Sequence, residues 1–119
     1  MTPEQFRREA LGLPDTVEGA HHDHPDFRAH GRVFASLHPD GARAMVKVPP
    51  AVQAALLAAH AGAAEPASGA WGRAGCTMLR LSAFRVVDVR DALREAWQFA
   101  AGAGAAKAQK PARPRPRRS

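Results

Sequence analysis

The 119-residue sequence predicts an α+β domain in which helices cover one face of an antiparallel sheet. Three observations support this prediction. A helix-start signature opens the chain, short extended runs joined by tight turns follow it, and an amphipathic helical pattern comes last. Because the first predicted strands are joined by only a few residues, they must pair antiparallel. The helices then form a second layer against the apolar side of the sheet.

The first helix has both a start signal and a stop signal. Thr2 suits the N-cap position, Pro3 the first helical position, and Gln5 the returning side chain of a capping box. Gly12 suits the end of the helix, since glycine is the residue most often found just past a helix C-terminus. These signals predict a helix over residues 3–11.

Tight turns divide the next part of the chain into short strands. His30 and Gly31 suit a two-residue hairpin turn, and the run from His38 to Gly41 has proline and glycine where a β-turn prefers them. Simple alternation along the second strand places Phe34 and the residue after it on opposite faces. The predicted strands are 27–29, 32–37, 43–48 and 76–81.

The middle of the chain is predicted to contain a second helix and a loop. Pro50 suits the start of that helix, which is expected to end before Gly62. The glycine-rich segment 63–75 is predicted to be a loop whose one large anchor is Trp71.

The last helix is predicted from a capping signal and an apolar stripe. Asp88 is expected to be its N-cap, with Asp91 at the third helical position. The spacing of the apolar residues predicts one buried side, because they recur with the helical period. The residues of this stripe are Val89, Leu93, Trp97 and Ala100.

Charge is distributed unevenly along the chain. There are 17 Lys and Arg against 11 Asp and Glu, a net charge of +6, but six of the basic residues follow Glu95 with no acid among them. The other 11 basic residues balance the 11 acids, so the basicity belongs to the C-terminus. We predict a folded domain over residues 1–101 and a disordered, basic, Ala/Pro/Arg-rich tail over 102–119, where no large apolar residue offsets the entropy of ordering.

Compartment and assembly state are predicted from equally simple features. The single cysteine, Cys76, permits no internal disulfide, and no apolar run is long enough to span a membrane. Residues 1–13 carry too many charges for a signal peptide. We expect a cytoplasmic monomer with no membrane partner.

Several motifs in the body of the chain are specific enough to compare with known families. They are HPDFR at 24–28, GRVFASL at 31–37, PDG at 39–41, AMVKV at 44–48, WGRAGCT at 71–77 and LREAW at 93–97. In this order they resemble the MmcQ/YjbR family, over about residues 3 to 101. The resemblance implies a two-layer α+β fold shared with secretion-chaperone-like proteins, and it implies DNA binding as the function.

The resemblance and the charges together predict weak, largely non-specific binding of duplex DNA. Cations of the hairpin and loop region would contact phosphates, and the arginines of the tail would add to them. The alternative is a solvated face whose cations are balanced by Glu18, Asp26 and Asp40, with a tail that only aids solubility. The predicted nucleic-acid-binding residues are Arg28, Arg32, Arg43, Lys47, Arg73, Arg113, Arg115, Arg117 and Arg118.

Trp71 is the other candidate binding residue. Gly69, Gly72 and Gly75 surround it, so the backbone is free to place its large ring. Such a ring can stack on a base or line a ligand pocket, although a tryptophan in such a loop also often covers its own core. The second functional hypothesis is a non-enzymatic module that binds a small molecule or a protein partner near Trp71.

The sequence offers little for metal binding or catalysis. His21, His22, Asp23, His24 and Asp26 have metal-capable side chains, but no second cluster supplies further ligands. The cysteine has no recognisable catalytic partner and is expected to be a buried structural thiol. No phosphate-binding loop or nucleophile motif occurs. We expect no metal, no cofactor and no enzymatic activity.

Overall fold

The protein is an α+β domain built on an antiparallel sheet, as the sequence predicts. A computed structural model describes residues 1–21 and 24–109, and it describes the side chains of all of these except residues 21 and 103–109. The elements are α1 Pro3–Leu11, β1 Val17–His21, β2 His24–Ala29, β3 Arg32–Leu37, β4 Arg43–Lys47, α2 Pro50–Ala59, β5 Ala64–Pro66, α3 Gly69–Arg73, β6 Cys76–Arg80 and α4 Val86–Gln109. In the described residues the sheet has six strands in the order β1-β2-β3-β4-β6-β5, and every pairing is antiparallel.

Helix α1 forms as its capping signals predict. The Gln5 backbone N–H donates to Thr2 Oγ1 over 3.1 Å, and the Thr2 N–H donates to Gln5 Oε1 over 2.9 Å. Phe6 and Ala10, one turn apart, are both fully buried against the sheet. The ring of Phe6 meets that of Phe27 edge-on, with centroids 6.0 Å apart. The cap and the aromatic contact together fix α1 on the sheet.

Both β-turns lie where the turn residues predict them. At the β2–β3 hairpin His30 and Gly31 have φ values of 57° and 75°, the left-handed pair that a type I′ turn requires. At the β3–β4 turn the Gly41 N–H donates to the His38 carbonyl oxygen over 3.0 Å. These two turns bring β2, β3 and β4 side by side.

A β-bulge changes which residues of β3 are buried. Phe27 pairs with Ala35, whereas the next residue, Arg28, pairs with Val33, so Phe34 is the extra residue of the bulge. Phe34 and Ala35 are consequently both 0% exposed. The predicted alternation is wrong at Phe34, because a bulge turns two successive side chains toward the same side of the strand.

The two faces of the sheet differ in how they are covered. On the core face, α1 and α4 pack over a single apolar cluster. On the opposite face, which we call the open face, the cross-strand partners Ser36, Met45 and Met78 are only half-buried. The strand residues of the core face include Phe27, Ala35, Leu37, Ala44, Val46, Thr77 and Leu79. The predicted arrangement of helices over one face is confirmed.

The segment 63–75 is folded, and its prediction as a loop is wrong. Its first part is β5, which pairs with β6 through Ala64 and Leu79, and its second part is α3. Pro66 is tolerated because β5 is a three-residue edge strand. The local composition favours a loop, and the pairing with a distant strand overrides it. Helix α2 begins at Pro50 as expected.

Helix α4 begins earlier than its predicted cap. Its first residue is Val86, so Asp88 lies within the first turn and is not the N-cap. There Arg85 Nε lies 3.3 Å from Asp88 Oδ2. The prediction of Asp88 as N-cap is wrong, although an acidic residue in the first turn still suits the positive end of the helix dipole.

The buried side of α4 consists mainly of small residues. Trp97 lies at its edge and is half-buried, with Nε1 donating to the Pro14 carbonyl oxygen over 2.9 Å. Its ring also meets that of His30 edge-on, with centroids 5.0 Å apart. The predicted stripe is therefore correct at three of its four positions and misplaces Trp97. The buried residues are Val89, Ala92, Leu93, Ala96 and Ala100.

Helix α4 also ends later than predicted. It continues to Gln109, past Gly102, where the tail was expected to begin. Four of the residues at 103–109 are alanine, the best helix former, and they extend the helix without any large apolar side chain. The expected end of the helix is wrong, and residues 110–119 lie outside the described residues, so the division into a domain and a tail stays a prediction. No helix in the described part of the chain is long and apolar enough to cross a membrane.

Candidate functional site

Trp71 stands on a short helix that its surroundings hold closely. Its side chain is 70% exposed, although two glycines pack the adjoining backbone tightly. A Cβ on Gly72 would lie 2.0 Å from the Ala67 carbonyl oxygen, and one on Gly75 would lie 2.0 Å from the Val48 carbonyl oxygen. Gly75 also has a φ of 107°, which disfavours other residues. The backbone that carries Trp71 is therefore defined by close contacts.

Gln53 of α2 ties α3 to the sheet. Its Nε2 donates to the Gly72 carbonyl oxygen at 3.0 Å and to Thr77 Oγ1 at 3.1 Å, and it lies 3.3 Å from the Cys76 carbonyl oxygen. The Thr77 hydroxyl, itself fully buried, donates to the carbonyl oxygen of Gly75 over 3.1 Å. These bonds join α2, α3 and β6. The alternative in which Trp71 covers its own core is wrong, because the ring is exposed on this scaffold.

Trp71 lies between two neighbouring grooves. The end groove, between α4 and the ends of β3, β4 and β6, has a volume of about 430 Å³. The face groove, on the open face, has a volume of about 410 Å³. Met45 and Cys76 line both grooves together with Trp71. Volumes of this size are within the range of small-molecule sites.

The end groove combines an apolar wall with positive charge. Arg32, at the start of β3, and Lys47, at the end of β4, both line it, and no acidic residue lines it in the part of the chain that the structure describes. Lys47 is the direct cross-strand partner of Cys76. Besides Trp71, the apolar side chains that line it include Val33, Phe34, Met45, Ala74, Ala96, Phe99 and Ala100.

The face groove has several polar side chains, and the described residues that line it include no Arg, Lys, Asp or Glu. His24, Ser36 and His38 come from β2 and from the end of β3, and Ser68 precedes α3. Met78 supplies an apolar contact from β6. The positive charge near Trp71 is therefore on the side of the end groove.

The side chain of Cys76 lines both grooves and is uncharged. Burial raises the pKa of the Cys76 thiol, and the nearby Lys47 ammonium only opposes that shift. Because the thiolate is the reactive form, the thiol is a poor nucleophile at neutral pH. Its expected burial is confirmed, since the residue is 4% exposed. A polarisable sulfur in this place suits contact with an apolar group.

Two of the predicted phosphate-binding cations are already paired with carboxylates. Arg28 meets Asp26 in a bidentate contact, with nitrogen–oxygen distances of 3.0 and 3.1 Å, and this contact raises the Arg28 pKa. The pair lies beside Gly19, where a Cβ would be 2.8 Å from Asp26 Oδ1. Arg43 Nε lies 2.9 Å from Asp40 Oδ2. Both pairs agree with the alternative of a balanced, solvated face.

The other predicted cations have different surroundings. In the described part of the chain, Arg32, Lys47 and Arg73 form no ion pair. Arg32 and Lys47 meet at the end groove, whereas Arg73 is exposed at the end of α3. The remaining predicted residues, Arg113, Arg115, Arg117 and Arg118, lie outside the described residues.

The histidine-rich segment was the candidate for metal binding. His22 and Asp23 lie outside the described residues. Among the described residues, no three or more His, Cys, Asp or Glu side chains are grouped so that they could hold a metal ion. Asp26, the last member of that segment, has its carboxylate engaged by Arg28.

Sequence reasoning missed residues on both sides of Trp71. Phe99 is off the predicted stripe of α4, although Ala96, Phe99 and Ala100 have the i, i+3, i+4 spacing that marks a second apolar side. Gln53 gives no local signal at all, because its hydrogen-bond partners are 19 to 24 residues further along the chain.

The fold and the grooves define a class of protein. It is an α+β domain whose antiparallel sheet is covered by helices on one face, with an exposed tryptophan between a groove on the other face and a groove at the ends of the strands. A family model described as YjbR matches residues 11–99 of this chain. Because the match covers most of the sequence, the chain belongs to the YjbR family.

A solved structure supports the fold independently. The crystal structure of Deinococcus radiodurans protein DR2400, a DUF419 domain, is similar to this chain with a TM-score of 0.71. The two share 20% sequence identity over 82% of this chain and 77% of the other. At that level of identity the similarity establishes the fold alone. No curated protein matches the chain.

Proposed function

We propose that the protein is a non-catalytic binding protein, and that Trp71 and the end groove receive an apolar or aromatic group of its ligand. The observation that supports this most is the 70% exposure of Trp71 beside a groove of about 430 Å³. Burying a tryptophan is normally among the largest apolar gains available to a fold. In this protein Trp71 stays exposed, so the gain from burying its ring is available for contact with another molecule.

The scaffold around Trp71 supports the same proposal. Gly72, Gly75 and Gln53 hold α3 in one position, although its most prominent side chain contributes little to the core. Ligand sites are usually concave, apolar and largely formed before the ligand arrives. A rigidly presented ring loses little conformational entropy when a ligand stacks on it, which favours binding.

Titration with the neutral fluorescent probe phenylnaphthylamine tests the proposal. We expect saturable binding with one site per chain. We expect Trp71→Ala to weaken it about tenfold, since an aromatic stacking contact contributes roughly 1 to 3 kcal/mol. Val17→Ala is the matched control, because Val17 is 62% exposed and lies away from both grooves. Absence of saturable binding, or equal affinity of the two variants, contradicts the proposal.

Binding of duplex DNA, which the family resemblance implies, is a second candidate function. The observation in its favour is that Arg32, Lys47 and Arg73 form no ion pair with the described residues. Such cations bind the anionic phosphates of DNA appreciably only when several of them act together. The five basic residues after Gln109 would supply further contacts.

Titration with duplex DNA at several salt concentrations tests this second candidate. Full-length protein is compared with a chain truncated after Gln109. Each neutralised phosphate adds about 0.9 to the slope of log K against log salt, so a tail that engages all its cations adds roughly 4 to 5. If neither form binds at micromolar concentration in about 50 mM salt, where non-specific binders normally do, the DNA proposal fails.

The absence of enzymatic activity, the cytoplasmic location and the monomeric state stay predictions. The proposal of a binding protein assigns no bond-breaking step to any residue. Gel filtration with light scattering tests the monomer directly.

A further inference from the structure

Both charged side chains among the described residues that line the end groove are positive. Arg32 and Lys47 belong to its lining, and none of the described residues in that lining is acidic. Neither cation forms an ion pair in the described part of the chain. By contrast, Arg28 and Arg43 elsewhere on the sheet are each matched by a carboxylate. The end groove therefore presents an apolar wall and uncompensated positive charge in the same place.

We propose that the end groove binds a small organic acid with an apolar body and one anionic group. This inference rests on the proposed function, because it takes the groove as the ligand site. The body packs among Trp71, Met45 and Phe99, and the anionic group accepts hydrogen bonds from Lys47 and Arg32. The cations decide which molecules bind, because a neutral ligand leaves their charges unmatched.

The distribution of charge favours a small acid over a polyanion. A nucleic acid needs a row of available cations along its phosphates. Beyond the end groove, the next cations on β2 and β4 are Arg28 and Arg43, whose guanidinium groups are engaged by Asp26 and Asp40. In residues 1–21 and 24–109, no Arg or Lys lines the face groove on the other side of Trp71. Arg73 is exposed nearby but does not line the groove, so the two cations in the lining match a single anionic group.

Two fluorescent probes with nearly the same aromatic body test the inference. Anilinonaphthalene sulfonate carries one anionic group, and phenylnaphthylamine carries none. We expect the sulfonate to bind the wild-type protein about tenfold more tightly than the neutral probe, since charge-assisted hydrogen bonds are among the stronger polar contacts. Both probes should compete for one site.

Variants of Arg32 and Lys47 test whether these two cations cause the preference for the sulfonate. Lys47→Met keeps an apolar chain of similar length, and Arg32→Gln keeps a hydrogen-bonding group. Each is expected to reduce sulfonate affinity toward that of the neutral probe while leaving the neutral probe unchanged, and Lys47→Arg should restore the preference. Arg73→Gln is the matched control, because Arg73 is exposed nearby but does not line the groove.

The outcomes separate this inference from the proposed function. If neither probe binds, the proposed function fails. If both probes bind equally and the cation variants change nothing, the groove is a ligand site without a preference for acids, and the inference is wrong. An equal loss in Arg73→Gln and Lys47→Met points to the general surface charge and also overturns it. If a short DNA duplex displaces the sulfonate and a naphthalene carboxylate does not, the ligand of the groove is a nucleic acid, and the inference is wrong. Unchanged binding of the neutral probe verifies that each variant is folded.

Discussion

The core face and the open face of the sheet are formed by adjacent residues in very different surroundings. On β6, Leu79 is 0% exposed beneath the helices, whereas Met78 is half-buried on the open face. On β4, Val46 is 0% exposed, and its neighbour Met45 lines both grooves beside Trp71. A sheet face that meets only water usually carries polar residues. The methionines of the open face therefore agree with the proposed contact with another molecule.

The residue types on the two faces fit this difference. The core face uses residues with few rotamers, such as Val46 and Phe27, which pack at the density of a protein interior. The open face uses Met45 and Met78, whose flexible and polarisable side chains adapt to irregular partners. Specific packing stabilises the first face, and adaptability suits the second face for binding.

The largest expected effect is on stability when the core face is truncated. Leu79→Ala should lower the free energy of unfolding by about 2 to 5 kcal/mol, because it opens a cavity in the apolar cluster of the core face. The matched control is Met78→Ala, which should cost less than about 1 kcal/mol at a half-buried site. Urea denaturation measures both. Equal losses would mean that the open face stabilises the fold as much as the core face does.

The two tryptophans give a second comparison of the same kind. Trp97→Ala should lower the free energy of unfolding by about 2 to 4 kcal/mol, because it removes a half-buried ring and its hydrogen bond to Pro14. Trp71→Ala should change it by no more than about 0.5 kcal/mol, since the ring is mostly in water. The measurement is again urea denaturation, followed by far-ultraviolet circular dichroism because both variants lose a fluorophore. A large loss in Trp71→Ala would show that the ring is structural.

Local signals explain which parts of the fold could be predicted. The cap at Thr2 and the turn at His30 and Gly31 depend on residues a few positions apart, and both form as predicted. Strand β5 depends on pairing between Ala64 and Leu79, which no local composition reveals. The burial of Phe34 likewise depends on a bulge that appears only when β3 pairs with β2. Errors therefore fall where distant partners decide the structure.

A third and smaller effect concerns the support of α3. Gln53→Ala removes the hydrogen bonds to Gly72 and Thr77 and should lower the free energy of unfolding by about 1 kcal/mol. Because α3 then becomes less restrained, the emission of Trp71 should also change. Trp97→Phe makes Trp71 the sole fluorophore for that measurement. Ala54→Gly, at the neighbouring exposed position of α2, tests whether weakening the helix alone has the same effect on emission. An identical change in emission would show that Gln53 has no specific part.

The candidate site could be predicted only in outline. Trp71, Arg32 and Lys47 stand out in the sequence by type, and the structure places all three at the end groove. That Arg28 and Arg43 are paired with carboxylates could not be read from charge counts, because pairing depends on geometry. Sequence reasoning also missed that α4 lines the end groove, because α4 is far along the chain from β3 and β4, which form the groove with it.

The smallest expected effects come from two carboxyl groups in different parts of the fold. Asp40, in the turn between β3 and β4, accepts hydrogen bonds from the backbone N–H groups of Ala42 and Arg43 and from the Arg43 guanidinium, and these hold its pKa well below the usual range. Glu9 of α1 accepts from Arg90 of α4 over 2.8 Å, which lowers its pKa. Both groups bind protons less readily in the folded protein than in the unfolded chain.

The sign of the pH dependence follows from these lowered pKa values. A carboxyl group with a lowered pKa stabilises the fold above about pH 4 and loses that contribution as pH falls through its folded value.

Glu9→Gln should lower the free energy of unfolding at neutral pH by about 0.2 to 1 kcal/mol, as expected for a pair near the surface. Asp40→Asn and Glu9→Gln should each make the loss of stability below about pH 4 less steep, with the Asp40 effect extending to lower pH. Thermal denaturation at a series of pH values measures this, with Glu65→Gln as control because Glu65 is exposed and forms no ion pair with the described residues. Acid limbs that coincide in all four proteins would show that neither carboxyl group stabilises the fold.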